Sequence, residues 1–371
     1  MKIMFIAYHD IKSEARSQDI LKLARQLGDE VILFSPWKPF EDDPKVKFIQ
    51  ACKGKRKYFC FIKEAIKAIK DENPDILILH DNYTAAILRW LYKQKKDIFI
   101  IYDSSELYID IKPKSLKQLI ALHMNYFEKK YLKYANIVIA ANNERAEIMK
   151  NYFHLKKPPI VFDNIHRIED KYDINEYNRK YGYLFNKNIN TFYIAYAGGI
   201  GRSRMTFELA EVVGKLGDEY QLIILGNYNP KDKKNFDLMI KKNRFSNIAY
   251  LGFVPRDEWK YILSKSHISV VAFSQDTINN IYCASGKLYE SLFEGKPVLT
   301  STNPPLKRLC DKYKIGVSTN DFLEGILELK KNYEYYCKNV KLYINTLNYE
   351  RRIEDLARMV KKELIRWKGD I

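Results

Sequence analysis

Two arginines directly follow a glycine-rich turn in the second half of the chain. The segment FYIAYAGGIGRSR runs from an apolar strand pattern into Gly198 and Gly199, and Arg202 and Arg204 come next. Glycine lets a backbone approach a ligand closely, and each guanidinium can donate two parallel hydrogen bonds to phosphate oxygens. The pattern indicates a phosphate site. The alternative is a strand-to-helix turn that needs glycine for its own backbone, with exposed arginines.

A second candidate phosphate site lies in the segment SGKLYESLFEGKPVLTS, residues 285–301. Ser285 is a plausible N-cap of a predicted helix, Lys287 lies in the first turn of that helix, and Glu290 follows on the same face. The free N–H groups at a helix N-terminus suit a diphosphate, Lys287 adds a cation, and the Glu290 carboxylate could accept both hydroxyls of a ribose. A first helical turn with Lys and Glu is also common without any ligand.

The elements that must position these residues alternate between strand and helix. Ten short apolar runs rich in Ile, Val and Phe are separated by stretches with helical periodicity. Runs without polar alternation are typical of parallel strands buried on both faces. They form two groups of five, separated by residues 164–190, which we interpret as an interdomain connection. The sequence predicts an α/β protein with two doubly wound, Rossmann-like domains that bind ligands at the carboxyl ends of their strands.

These motifs together resemble the GT-B glycosyltransferases, most closely glycosyltransferase family 4, over nearly the whole chain. The donor-side elements of that family are matched by Gly226 in IILG, by Gly252 and Val254 in LGFVPRDEW, and by Lys287, Glu290, Gly295, Pro297 and Val298. The N-terminal half matches more loosely, through DILILHDNYTAAI and IIYDSSELY. The resemblance implies two domains facing across a cleft. They would span residues 1–165 for the acceptor and 190–345 for the nucleotide-sugar donor, with a final helix, 346–371, packing back on the first domain.

The chain departs from the family pattern at several positions. Tyr282 replaces a glutamate, Gly199 stands where many members carry an arginine, and Ser105 replaces the histidine of the Tyr-Asp-Ser-His-Glu element. The glycine-rich turn after the first strand is replaced by residues 10–12. The donor-side motifs are therefore better preserved than the acceptor-side ones.

The activity implied by the resemblance is transfer of a hexose from a nucleotide sugar to a lipid-linked or polysaccharide acceptor hydroxyl, with retention, in cell-surface glycan biosynthesis. The implied catalytic residues are Arg202, Arg204, Lys287, Glu106 and Asp103. The implied donor-binding residues are Gly198, Gly199, Gly226, Val254, Ser285, Gly286 and Glu290. The acceptor-side candidates are His9, His80 and Ser105. No metal or other cofactor is expected.

The chain carries 63 Lys and Arg against 46 Asp and Glu, a formal charge of +17. Such a charge attracts anionic partners, but no nucleic-acid-binding signature accompanies it. Six lysines and an apolar stripe share residues 112–133, and residues 53–70 repeat the pattern. Basic amphipathic helices bind anionic membranes, although the stripes could equally belong to the core. We expect a cytoplasmic protein, peripheral at the inner face of the plasma membrane.

The five cysteines form no C-x-x-C pair, so a disulfide framework and a structural zinc site are both disfavoured. No segment has the length and apolarity of a signal sequence or a membrane span. The main alternative function is a catalytically silent, glycosyltransferase-like subunit that binds a partner or glycan, because Tyr282 and Ser105 depart from the family. A nucleic-acid-binding protein and a nucleotide-sugar isomerase are two further hypotheses.

Overall fold

The computed structural model describes residues 1–12, 14–38, 43–52, 58–94, 97–109, 116–168, 173–228 and 230–369. The chain divides into two compact units. The N-terminal unit contains Met1–Asn164 together with Asn348–Ile371, and the C-terminal unit contains Ile165–Leu347. None of the helices in the described residues is long and apolar enough to cross a bilayer.

The strands are β1 (Lys2–Ala7), β2 (Glu30–Ser35), β3 (Val46–Gln50), β4 (Ile76–His80), β5 (Phe99–Ser104), β6 (Ile137–Ala140), β7 (Ile160–Val161), β8 (Phe192–Ala197), β9 (Tyr220–Leu225), β10 (Ile248–Tyr250), β11 (Ile268–Val271), β12 (Val298–Thr300) and β13 (Gly316–Ser318). The helices are α1 (Ala15–Leu27), α2 (Tyr58–Glu72), α3 (Ala85–Gln94), α4 (Leu116–Tyr131), α5 (Asn143–Tyr152), α6 (Ile174–Tyr181), α7 (Thr206–Lys215), α8 (Pro230–Asn243), α9 (Arg256–Lys265), α10 (Ile278–Ile281), α11 (Gly286–Phe293), α12 (Pro304–Tyr313), α13 (Phe322–Lys331), α14 (Tyr333–Thr346) and α15 (Arg352–Gly369).

The N-terminal unit is built on a seven-stranded parallel sheet in the order β3-β2-β1-β4-β5-β6-β7. Strands β1, β4 and β5 are almost entirely buried, as expected for a sheet covered on both faces. The order reverses beside β1, so the chain leaves β1 and β4 in opposite directions at their carboxyl ends. This is the position at which doubly wound sheets bind ligands.

Helix α15 belongs to the N-terminal unit although it follows the C-terminal unit in sequence. Ile353, Leu356 and Val360 pack into the same core as Ile20 and Leu23 of α1. Arg352, at the start of α15, pairs with Asp19 of α1. The sequence resemblance implied this return of the last helix to the first domain.

The C-terminal unit is built on a six-stranded parallel sheet in the order β10-β9-β8-β11-β12-β13. Its order reverses beside β8, in the same way that the first sheet reverses beside β1. The predicted α/β class with two Rossmann-like sheets is confirmed. Three short strands were not predicted from the sequence, namely β3, β7 and β13.

The stretch interpreted as a connection contains ordered structure. Helix α6 lies within it and begins at Asp173, whose side chain accepts from the backbone N–H groups of residues 175 and 176. Tyr177 and Tyr181 pack against Trp259 and Tyr261 of α9. The described part of this stretch beyond Asn164 thus contributes to the core of the C-terminal unit.

A disulfide joins Cys52, which follows β3, to Cys60 in α2. The sequence analysis disfavoured disulfides because it considered only spacing and an odd number of cysteines. The two bonded cysteines are eight positions apart in the sequence. Residues 53–57, part of the first predicted basic stripe, lie outside the described residues.

Candidate functional site

The N-terminal unit gathers polar side chains at the carboxyl ends of β1, β4 and β5. The sheet register pairs Ala7 with His80 and pairs His80 with Asp103, so the three strands end side by side. His9 follows β1 by two residues, and Asp81 follows β4. The topological switch point of this sheet therefore carries two histidines and two aspartates.

His80, Asp103 and Arg16 form a buried network. The His80 and Asp103 side chains are fully buried, and Nδ1 of His80 lies 2.8 Å from Oδ2 of Asp103. Arg16, which is 2% exposed, donates from Nη2 to Oδ1 of Asp103 at 2.5 Å and from Nε to both carboxylate oxygens. Its Nη1 donates to the carbonyl of Phe162 and to Oδ1 of Asn164. Arg16 thus connects Asp103 to the last residues before the chain leaves the unit.

Glu14 faces the other ring nitrogen of His80. Oε2 of Glu14 lies 3.1 Å from Nε2 of His80, and the hydroxyl of Ser17 lies 2.9 Å from the same nitrogen. The Ser17 hydroxyl also donates to Glu14. Nδ1 of His9 lies 4.0 Å from Oε2 of Glu14. Glu14 therefore stands between the two histidines.

These contacts shift the pKa values of His80, Glu14 and Asp103. Burial alone would lower the pKa of His80, but the carboxylates of Glu14 and Asp103 outweigh it and raise that pKa to about 10. Burial would raise the pKa of Glu14, yet His80 and His9 hold it below its usual range. Burial likewise opposes ionisation of Asp103, and Arg16 with His80 keeps the pKa of that carboxyl low. The network holds both carboxylates ionised.

Asp81 adopts a backbone conformation that non-glycine residues rarely adopt, with φ of 61° and ψ of 172°. Its N–H donates to the carbonyl of Asp103 at 2.8 Å, and its Oδ1 accepts from the N–H of Glu106 at 3.3 Å. Its Oδ2 lies 3.2 Å from Nε2 of His9, although the two atoms are not aligned as a hydrogen bond. Strain of this kind is held in place by surrounding contacts and is concentrated at functional sites.

Further polar groups border this position. The amide of Asn82 is fully buried and has no hydrogen-bond partner among the described residues, and neither has the hydroxyl of Ser105. Glu106 is the most exposed carboxylate here, at 43%, and it lies 3.7 Å from Arg145. Buried polar groups are normally satisfied, so these two groups are exceptions beside the strained Asp81.

In the C-terminal unit, three glycines bring the strand ends close together. The Gly226 N–H donates to the carbonyl of Gly252 at 2.7 Å. A Cβ atom on Gly226, whose φ is 136°, would lie 1.7 Å from the carbonyl oxygen of Gly198. The Tyr196 hydroxyl donates to the carbonyl of Gly199 and fixes the turn. We call Gly198, Gly199 and Gly226 the glycine cradle, and at Gly226 no other residue fits.

Arg202 and Arg204 lie in a short 3₁₀ turn after this cradle. Arg204 donates from Nη1 to Oδ1 of Asn280 at 3.2 Å, and its guanidinium lies 4.2 Å from the centre of the Phe273 ring. Arg202 is exposed and lies 5.5 Å from the Phe207 ring. Neither guanidinium forms an ion pair with a carboxylate in the part of the chain that the structure describes. Both place positive charge beside the cradle.

Lys287 and Glu290 lie in the first turns of α11, which begins at Gly286 as predicted, but the side chain of Ser285 makes no capping hydrogen bond. Nζ of Lys287 lies 2.7 Å from Oε2 of Glu290. Glu290 is buried and also accepts from Nη2 of Arg256 at 2.9 Å and from Nε1 of Trp259 at 3.1 Å. Both oxygens expected to bind ribose thus already have protein partners. Val254 is half-buried beside this group of residues.

Sequence reasoning missed Glu14, Arg16 and Asp81. A signal for Arg16 exists, because it lies four residues before Ile20 and seven before Leu23, on the buried face of α1. A charged residue on an apolar helical stripe is buried only with a partner. Asp103 and His80, predicted to face the substrate, lie behind His9 and Glu14, which are about a quarter exposed.

Comparison with known proteins bears on the family and the fold. Residues 14–164, within the N-terminal unit, match the model of Glycosyltransferase Family 4. No curated protein matches the sequence at a significant level.

Solved structures share the fold over nearly the whole chain. Sucrose-phosphate synthase from Thermosynechococcus elongatus superposes with a TM-score of 0.77 at 14% identity, covering 99% of this chain and 100% of that one. WaaG, a glycosyltransferase involved in lipopolysaccharide biosynthesis, gives 0.70 at 13% identity, covering 96% and 99%. Anabaena HepE, solved with UDP and glucose, gives 0.72 at 12% identity, covering 98% and 100%. The chain has the GT-B fold, which confirms the resemblance found in the sequence.

Proposed function

From the GT-B fold and the family 4 match of the N-terminal unit, we propose that this chain is a glycosyltransferase that moves a hexose from a nucleotide sugar to a lipid-linked or polysaccharide acceptor hydroxyl. The observation that carries the proposal is the cradle of Gly198, Gly199 and Gly226 with Arg202 and Arg204 beside it. Two cations without a carboxylate partner among the described residues, next to backbone that a ligand can approach closely, suit the diphosphate of a donor.

The chemical step breaks the bond between the sugar C1 and the diphosphate oxygen. Negative charge gathers on the leaving diphosphate, and positive groups placed in advance stabilise that charge in the transition state. Arg204 is held in place by Asn280 and Phe273, and Lys287 is held by Glu290. These protein cations supply the charge that a metal ion would otherwise supply to the diphosphate.

Retention of anomeric configuration follows the family resemblance. The acceptor hydroxyl then attacks the face that the diphosphate leaves, and a diphosphate oxygen takes its proton. The acceptor step would therefore tolerate Ser105 in place of the usual histidine. In this proposal Asp103 holds the His80 ring in position, and the more exposed Glu106 and His9 contact the acceptor.

A lipid-linked acceptor fits the surface of α4. Ala121, Met124 and Phe127 are buried, which agrees with the core interpretation of part of the predicted stripe. The opposite side of α4 exposes three apolar side chains and continues into lysines. The exposed apolar residues are Leu119, Leu122 and Tyr126, and the lysines are Lys129, Lys130 and Lys133. Residues 112–115 of the predicted basic helix lie outside the described residues.

We propose that this surface of α4 holds the protein at the cytoplasmic face of the plasma membrane. Each lysine near an anionic leaflet contributes about 1 kcal/mol, and salt screens the attraction. The test is sedimentation with vesicles of phosphatidylcholine alone and with added phosphatidylserine. Replacing Lys129, Lys130 and Lys133 by Gln should reduce binding to the anionic vesicles, whereas replacing Lys215, Lys241 and Lys242 of the C-terminal unit should not. Equal binding to both kinds of vesicle would contradict the proposal.

Donor binding and turnover test the activity itself. Thermal unfolding with UDP-glucose, and with GDP-, ADP- and dTDP-sugars, should identify one donor, because a ligand at 100 times its Kd stabilises by about 2.7 kcal/mol. Release of the nucleoside diphosphate with that donor then reports chemistry. Binding without any release, with or without glycan and lipid acceptors, would favour the silent subunit. No stabilisation by any nucleotide sugar would refute the donor site.

A further inference from the structure

Three potential metal ligands come together in the N-terminal unit. Nδ1 of His9, one carboxylate oxygen of Glu14 and Nε2 of His80 all lie within 4.8 Å of one another. His9 and Glu14 are partly exposed, and His80 is buried. Two imidazoles and a carboxylate are a ligand set of zinc and related divalent ions.

Both imidazoles have a buried carboxylate on the opposite ring nitrogen. Nδ1 of His80 lies 2.8 Å from Asp103, and Nε2 of His9 lies 3.2 Å from Asp81. A histidine that binds a metal almost always donates its other N–H to a carboxylate, a carbonyl or water, which fixes the ring and the tautomer. A small rotation of the His9 ring would align its N–H with Asp81. The outer shell of a metal site is thus already present for each histidine.

The charges of the cluster also fit a dication. Glu14, Asp81 and Asp103 bring three negative charges, and Arg16 brings one positive charge, so the four groups carry a net charge of −2 when both histidines are neutral. Asp81 and Asp103 are fully buried, and an uncompensated charge is costly in such a position. One divalent cation between the two imidazoles balances this charge.

We propose that His9, Glu14 and His80 bind one divalent transition-metal ion of the Zn²⁺ class, with Asp81 and Asp103 as the outer-shell partners of the two histidines. Ligand atoms about 2 Å from one ion lie roughly 3 to 3.5 Å apart. The observed 3.1 Å between Glu14 and His80 fits, and the 4.0 Å between Glu14 and His9 needs a movement of less than about 1 Å.

Three protein ligands leave coordination positions for water or for an oxygen of a bound molecule. His9 and Glu14 are about a quarter exposed, so those positions have access to solvent. This site lies in the N-terminal unit, whereas the diphosphate is assigned to protein cations of the C-terminal unit. The proposal is therefore independent of donor chemistry and does not alter it.

The test is Zn²⁺ titration of the untagged full-length protein by calorimetry, with Co²⁺ absorption in the visible range as a second readout. The protein carries Cys52→Ser and Cys60→Ser, because reduction of their disulfide would release two thiols close to Glu64 as a second group of potential ligands. We expect one ion per chain. His9→Gln or Glu14→Gln should weaken binding by more than the 10- to 100-fold expected for the outer-shell change Asp81→Asn.

His123→Gln, which removes an exposed histidine of the same unit, is the matched control and should leave affinity unchanged. Circular dichroism of each variant separates loss of ligands from loss of fold. Absence of stoichiometric binding by the parent protein, or binding that survives in the His9→Gln/Glu14→Gln double variant, would overturn the proposal. Sugar transfer plays no part in this measurement, so its result stands apart from that of the proposed activity.

Discussion

The two sheets reverse their strand order in the same way, yet the arginines at the two switch points have different surroundings. At the N-terminal switch point, Arg16 is buried, and each of its three side-chain nitrogens donates to a protein acceptor; two of these acceptors are the oxygens of Asp103. At the C-terminal switch point, Arg204 is half-buried and is held by an amide and an aromatic ring. One arginine stabilises the protein around it, and the other remains available for an anion.

This contrast separates a cation that stabilises the fold from a cation that binds a ligand. A buried ion pair is costly to break, because removing one partner leaves the other charged and desolvated. Removal of a half-buried cation that forms no salt bridge among the described residues costs little protein stability, and its loss shows in ligand binding. The two clusters also differ in net charge. Carboxylates are in excess in the N-terminal cluster, and cations are in excess in the C-terminal cluster.

The largest expected effect is on stability. Arg16→Met should lower the free energy of unfolding of the N-terminal unit by about 3 to 5 kcal/mol, because Asp103 is left buried without its cation. Arg204→Met should cost less than about 1 kcal/mol, in line with a cation that has no ionic partner among the described residues. Urea unfolding, followed by fluorescence and circular dichroism, compares the two variants directly. Equal losses would remove the distinction between the two arginines.

Turnover should show the reverse order. Arg204→Ala and Lys287→Ala should each reduce kcat/KM for the donor by about 2 to 4 kcal/mol in transition-state terms, as for loss of a preorganised charge. Arg202 is the more exposed of the pair, and Arg202→Ala tests whether it shares the role. Lys215→Ala, on the exposed side of α7, is the control. Unchanged kcat/KM in the first three variants would remove the diphosphate assignment.

Glu290 tests whether the buried carboxylate of the donor unit binds ribose or only supports Lys287 and Arg256. Glu290→Gln should raise the donor KM by the equivalent of about 1.5 to 3 kcal/mol, the range for charge-assisted hydrogen bonds. A 2′-deoxyribose donor separates the two roles. If Glu290 contacts the ribose, the variant discriminates less between the two donors than the wild type does. An equal loss for both donors would show that Glu290 only positions its protein neighbours.

The smallest expected effect is a pH dependence of stability that arises from Glu128 of α4. This buried carboxylate is hydrogen-bonded to Tyr102 and Asn125. Burial raises its pKa to about 8 from the usual 4.5. Between these values the folded state holds a proton that the unfolded state lacks, so stability falls as pH rises, by at most about 1.4 kcal/mol per unit. Glu128→Gln should flatten the dependence of the urea midpoint on pH between 5 and 8. An unchanged slope would show that Glu128 is ionised in the folded protein.

Much of the fold was predictable because its strands are long apolar runs. The runs in β1, β4, β5, β8 and β9 are buried on both faces and carry a strong signal in the sequence. Strand β7 has two residues, β13 has three, and β3 alternates with polar side chains and is only partly buried. Such edge strands depend on register with a neighbour, which composition alone does not reveal.

The site was predictable where a single segment carries it. The turn at Gly198 and Gly199 and the start of α11 each lie within one segment, and the strand before the turn and the helix α11 occur where the sequence indicates. The cluster around His80 joins residues from α1, β4 and β5, separated by 23 to 87 positions. Pairing across such separations is a property of the folded sheet. Glu14 and Asp81 therefore became visible only when the strands were placed side by side.

The return of α15 to the first unit sets an order for folding during synthesis. Ile353, Leu356, Val360 and Leu364 complete the core beneath β1, so this core cannot close until they have left the ribosome. The C-terminal unit, Ile165–Leu347, is continuous and emerges earlier. Domains generally fold as units as the chain emerges. Here the N-terminal segment is synthesised first, but the unit that contains it completes its folding last. A premature stop near residue 348 therefore removes the apolar partners of α1, which makes the N-terminal half the aggregation-prone part of an incomplete chain.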